Sequence, residues 1–276
     1  MQNSPRAGRI DRVVVWLDSA SEIGMALATA ARLAARAKAP LHGVFVEDED
    51  LLRLARLPVM REIVWETGAP RLAPGRIEQD IRLAAEHARR ELAAAASRRG
   101  LAWSFETVRG GSEGAPPHAA TEGDFVVACA LTRPIAGQFR LECRWLERVD
   151  AVDGAVLLAG HRWDAGGSVV TLLRDRGPGS ARLIETVAPI AEAEGGELVV
   201  ICPPATAGAD GFEGWIADRL AGFAVRLQIE VAEPEPEALR ARIAALSCRL
   251  LAIEAGALGE LGELTRWLTC DLLVVR

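Results

Sequence analysis

An apolar run, a helical segment and a second apolar run occur twice in this chain at one spacing. Val13 corresponds to Val169 and Val44 to Val200, both offset by 156 positions. Equal offsets at both ends mean that the strand–helix–strand unit has one length in both copies, which α/β character alone does not require. Whatever one half folds into, the other half repeats. Later offsets shrink to 125 for Val126 against Leu251 and 116 for Leu157 against Leu273, so the first copy carries about 31 extra residues after its second strand and about 9 after its fourth.

Strands and helices alternate within each copy. In the first half the pattern predicts strands at 12–17, 41–46, 101–108, 124–129 and 155–159, with helices at 20–38, 76–99 and near 141–149. In the second half it predicts strands at 168–173, 197–202, 225–231, 249–254 and 271–275, with helices at 180–194, 212–221, 235–247 and 260–269. Such alternation implies an α/β fold of two tandem doubly wound, Rossmann-like domains, each with a five-stranded, mainly parallel sheet. The expected boundaries are 10–160, with a helical insertion at about 48–75, and 168–276, joined by the polar Gly-containing linker at 161–167. A linker this short predicts that the halves pack together as a pseudo-dimer.

Composition narrows the partners. A net charge of −6 argues against general affinity for nucleic acid or anionic lipid, since such binding rests on accumulated Lys and Arg. Lys38 is the one lysine among 32 basic residues. No apolar run reaches the roughly 18 residues of a membrane span, and residues 1–12 contain no signal-like apolar segment, so a cytoplasmic protein is expected. The five cysteines, Cys129, Cys143, Cys202, Cys248 and Cys270, include no C-x-x-C pair, which excludes a zinc ribbon and shows no obvious disulfide framework. Cys129 and Cys202 end apolar runs and are expected to be buried thiols. The seven tryptophans fall mainly in apolar segments and are expected to anchor cores, Trp65 and Trp163 excepted.

An Asp closing the first strand (VVVWLDSASE), the Val108-Arg-Gly-Gly-Ser112 turn, the run AEPEPEALRARIAALSCRLLAIEA and the closing strands AVLLAG and DLLVVR together resemble the universal stress protein family. The resemblance covers 12–160 and 168–276. It implies a doubly wound α/β fold, dimeric or tandem, with ATP bound in some members beyond the carboxyl ends of the strands. Carried over, it places nucleotide contacts at Asp18 and Val46 in the first copy, with Val46 ending the second strand. The family's phosphate loop, G-x-x-G followed nine residues later by G-[ST], is degenerate in both copies. The first copy offers Arg133-Pro134 and a lone Gly137. The second offers Gly256-Ala-Leu-Gly259 but has Thr269 where the next glycine should fall, and its first strand ends in Arg174-Asp175. Arg133, Arg140 and Arg144 are either anion donors through their planar guanidinium forks or the coat of an exposed helix.

Other chemistries find weaker support. Gly110-Gly-Ser112-Glu-Gly114 matches G-x-S-x-G, with Asp150 and His161 downstream, but Ala115-Pro116-Pro117 is a poor start for the helix that a serine esterase elbow requires. His42, His87, His118 and His161 show no metal-ligand spacing. Gly177-Pro-Gly-Ser180 reads as a turn ending in a Ser N-cap. The acidic run Glu47–Asp50 reads as a helix start, with Asp48 as N-cap and Glu49 paired to Arg53. The insertion behind it, with Leu51, Leu54, Leu57 and Ile63, either packs on its own sheet or offers an interface.

The function expected from these features is non-enzymatic: a universal-stress-type regulatory or stress-response protein acting by self-association, as a homodimer, or through a protein partner. The alternatives are adenine-nucleotide binding in the first-copy cleft and an esterase built on Ser112. No metal and no certain cofactor is expected, with ATP the one candidate.

Overall fold

Central strands of a parallel sheet are covered on both faces, so they read as unbroken apolar runs. The first strand, β1 (Arg12–Leu17), has that character. Val13, Val15 and Leu17 enter a core on one side of the sheet, while Val14 and Trp16 enter a second core on the other. The computed structural model describes residues 10–18, 23–49, 52–53, 74–110, 123–129, 152, 154–159, 167–233, 236–257, 268 and 270–276.

In the first half β1 is followed by α1 (Ile23–Ala37), β2 (Leu41–Asp48), α2 (Pro74–Ser97), β3 (Trp103–Gly110), β4 (Asp124–Cys129) and β5 (Ala155–Ala159). The second half contributes β6 (Ser168–Leu172), α3 (Pro178–Ala193), β7 (Glu197–Cys202), the one-turn α4 (Pro204–Ala207), α5 (Phe212–Leu220), β8 (Arg226–Val231), α6 (Pro236–Ala245), β9 (Cys248–Glu254) and β10 (Asp271–Val275). Ala26, Ala30, Ala31 and Ala34 are fully buried, so small side chains let α1 lie close on the sheet. Its end is marked by Lys38 at φ 53°, a left-handed closing residue in the place where glycine is usual.

All ten strands form one sheet in the order β3-β2-β1-β4-β5-β10-β9-β6-β7-β8. Each half is a parallel 3-2-1-4-5 arrangement, and the two orders mirror each other across an antiparallel β5–β10 junction that pairs Leu272 with Leu158 and Val275 with Ala155. The duplication legible in the offsets is therefore a duplication of topology. A charge cluster around the buried Glu194 carboxylate joins the halves on one face. Glu194, which caps the end of α3, receives Arg249 from β9 of its own half and Arg32 and Arg36 from α1 of the other, at 3.5 and 3.3 Å for the latter two.

Three expectations need correction. β2 continues past Val46, because Glu47 and Asp48 pair with Arg109 and Gly110 of β3 and the Glu47–Arg109 ion pair at 3.0 Å extends the register. The N-cap of α3 is Gly177 and not Ser180, which sits inside the first turn behind Pro178. Trp103 is 37% exposed, because it begins β3, an edge strand flanked on one side only, by β2. By contrast, Cys129, Cys202 and Trp16 are buried, and Glu49 pairs with Arg53 at 3.1 Å as the acidic helix start requires. The predicted helices near 141–149 and at 260–269, the linker, and nearly all of the insertion lie outside the described residues.

Candidate functional site

In doubly wound sheets a crevice opens beyond the carboxyl ends of two neighbouring strands whose connections leave in opposite directions. Here that happens twice, between β1 and β4 and between β6 and β9, since each pair is adjacent and the chain departs from β1 toward β2 and from β6 toward β7. Asp18 follows β1 at the first crevice, half-buried, and Val46 lies two residues before the end of β2. Gly256, in a single 3-10 turn after β9, belongs to the second crevice. The sequence-derived residues thus divide between two sites. Arg133, Gly137, Gly259 and Ser112 lie outside the described residues.

The second crevice holds a cavity of about 330 Å³ lined by Arg174, Asp175, Glu254 and Gly256, at the small end of ligand pockets. Each lining group has a local cause. Asp175 follows β6 and turns back on itself: its Oδ1 accepts from the Gly177 backbone N–H at 2.6 Å and from the Ser180 hydroxyl at 3.2 Å. A carboxylate just before a helix answers otherwise unpaired N–H groups and the positive helix end.

Glu254 is the last residue of β9, and its side chain reaches across to the start of α3. There it lies so close to Gly179 that a methyl group on that residue would collide with the carboxylate. Two carboxylates therefore stand at the helix start where an anionic ligand would have to sit. The opposite rim is tied down as well. The Thr206 hydroxyl on α4 donates to the Arg174 carbonyl at 2.6 Å, and Arg176 donates to the Asp210 carbonyl at 2.8 Å. The segment after β7 is thus strapped to the segment after β6.

Among the described residues lining the cavity there is no His, Cys or hydroxyl nucleophile, and no group of three His, Cys, Asp or Glu side chains among the described residues could hold a metal. His42, the one histidine at the sheet with described contacts, bonds Ser104 at 2.7 Å and Glu106 at 2.8 Å across the β2–β3 pair, a structural role. No helix among the described residues is long and apolar enough to cross a membrane. Sequence reasoning missed Glu254 and Gly179. The available signal was a carboxylate ending an otherwise apolar strand at a topological switch, but its contact with a helix 75 residues away cannot be read from spacing.

No protein-family model matches this chain, and no curated protein matches it in sequence. Solved structures do match. A universal stress protein from Archaeoglobus fulgidus DSM 4304 superposes with a TM-score of 0.63 at 15% identity, covering 95% of each chain. A functionally unknown protein from Pseudomonas aeruginosa PAO1 superposes with a TM-score of 0.59 at 15% identity, covering 98% of this chain and 94% of that one. Likeness at this identity establishes a common fold.

Proposed function

We propose that this chain, which has the universal stress protein fold in tandem, acts by binding a protein partner or a second copy of itself and not by catalysis. The observation that carries the reading is the Glu254 carboxylate lodged against Gly179 at the start of α3. With Asp175 bonded to the same turn, this crevice meets a polyphosphate with two negative charges. A regulatory or stress-response module that does not depend on nucleotide fits that electrostatics.

Self-association would have to use new surfaces. The β5 and β10 edges are already paired within the chain, which leaves β3 and β8 as the outer strands of the described sheet. Native mass spectrometry of the purified protein tests the proposal directly, because it reports bound small molecules and oligomeric state together. Protein free of nucleotide after incubation with ATP is the expected result. Stoichiometric ATP retained by the wild type would overturn the reading and favour the first-copy cleft at Asp18 and Val46.

A further inference from the structure

Cys248 and Cys270 stand 22 positions apart in the chain and meet in the fold. The cause is a local irregularity. β6 and β9 pair in register from Val169 with Leu250, yet Ser168 pairs with Cys248, so two residues of β9 oppose one step of β6. Such a bulge shifts side-chain alternation by one position. Beyond it, Leu251 and Ile253 face one core and Leu250 and Ala252 the other. Unbroken alternation would put Arg249 on the first face, whereas the bulge sends Arg249 to Glu194 and turns Cys248 to that face instead.

Cys270 immediately precedes β10, whose Asp271 is in register with Leu250, and it is buried in the same core that Cys248 packs against. The Cys270 side chain is also the largest single influence on the Cys248 thiol, which it raises. Strands about 4.8 Å apart with a stagger of one residue, about 3.3 Å, give a Cα separation of roughly 5.8 Å, inside the range that a disulfide spans. Both sulfurs are free thiols here.

We infer that Cys248 and Cys270 form a reversible oxidation site whose oxidant is hydrogen peroxide. One thiol attacks the peroxide: an S–O bond forms, the O–O bond breaks, and water leaves. The resulting sulfenic acid is then attacked by the other thiol, the S–S bond forms, and a second water carries away the hydroxyl and the last thiol proton. Two thiols lose two electrons and two protons, and the peroxide becomes two waters.

Hydrogen peroxide suits the site because Cys270, at 5% exposure, is too buried for a bulky disulfide to reach. The hydrogen bond to Cys270, with burial second, pushes the Cys248 thiol well above its ordinary range. Whichever thiol attacks first, the other stands within reach to resolve the sulfenic acid. Closure makes a covalent ring of residues 248–270, which include Glu254 at the crevice.

The test uses the full chain, reduced, freed of reductant and exposed to hydrogen peroxide, then alkylated in denaturant and mapped by mass spectrometry. A Cys248–Cys270 cross-link that dithiothreitol reverses is the expected product. With Cys248→Ala, dimedone should label Cys270 after the same exposure, while the wild type carries little label because Cys248 has already reacted. If both thiols of the wild type stay alkylatable, or if Cys248 pairs with Cys129, Cys143 or Cys202 instead, the inference is overturned.

Discussion

Replacing Glu254 by glutamine keeps the shape of the side chain at the start of α3 and removes its charge. A phosphate seated on that turn would lie about 4 Å from the carboxylate, where like charges repel by about 4 kcal/mol at an effective dielectric constant of ~20. The attraction of a helix start for an anion is worth only about 0.3–1 kcal/mol at an exposed site, so in the wild type repulsion wins. Glu254 is half-buried, and screening by solvent and salt lowers the repulsion to about 1.4–2.8 kcal/mol. Glu254→Gln should therefore bind ATP about 10- to 100-fold more tightly than the wild type. Isothermal calorimetry at low and high salt measures this, with the gain shrinking as salt rises. If the variant folds normally and its affinity for ATP is unchanged, the carboxylate is not what closes this crevice.

Glu194→Ala should destabilise the chain by about 3–5 kcal/mol in urea unfolding, because it leaves Arg249, whose side chain is 8% exposed, and Arg32 without their shared carboxylate; a loss under 1 kcal/mol would show that the cluster does not hold the halves together. Gly43→Ala should cost about 1–3 kcal/mol by the same measurement, since a Cβ there meets Leu92 and Phe105 at 2.8 Å in a packed core, and a neutral result would mean that α2 shifts freely. Burial raises the Cys202 thiol, and the hydrogen bond to Cys270 together with burial raises Cys248. Above about pH 8.5 the unfolded thiols ionise while the folded ones do not, so the unfolded state binds fewer protons and stability falls with rising pH by about 1.4 kcal/mol per pH unit per thiol. Urea unfolding of the reduced protein from pH 7 to 10 should show that slope, lessened in Cys248→Ala; equal slopes in both proteins would refute the assignment.

Fold class, the succession of strands and helices along each half and the position of the duplication were legible from the chain alone. They rest on local periodicity: unbroken apolar runs at 12–17 and 271–275 and Ala-rich helical stretches declare themselves to any neighbour that covers them. The helix start at Glu49, with its bond to Arg53, was equally visible because both partners lie on one turn. Element ends were less so, as with β2, whose last two residues are held by Arg109 and Gly110 of a strand 62 positions away.

The candidate site was legible only in outline. The resemblance supplied Asp18, Val46 and Gly256 as expectations, together with the expectation of a degenerate glycine loop. What the structure adds at the second crevice is a contact between residues 75 positions apart, Glu254 and Gly179, and such a contact depends on where β9 delivers its last side chain. Likewise the sequence showed five scattered cysteines and no framework, and a one-residue bulge in β9 brought two of them together. Periodicity, being a property of neighbours along the chain, determined by itself what each segment would become. Tertiary structure alone decided which charges and thiols face each other, because a shift of one position in strand register moves a side chain to the opposite face of the sheet.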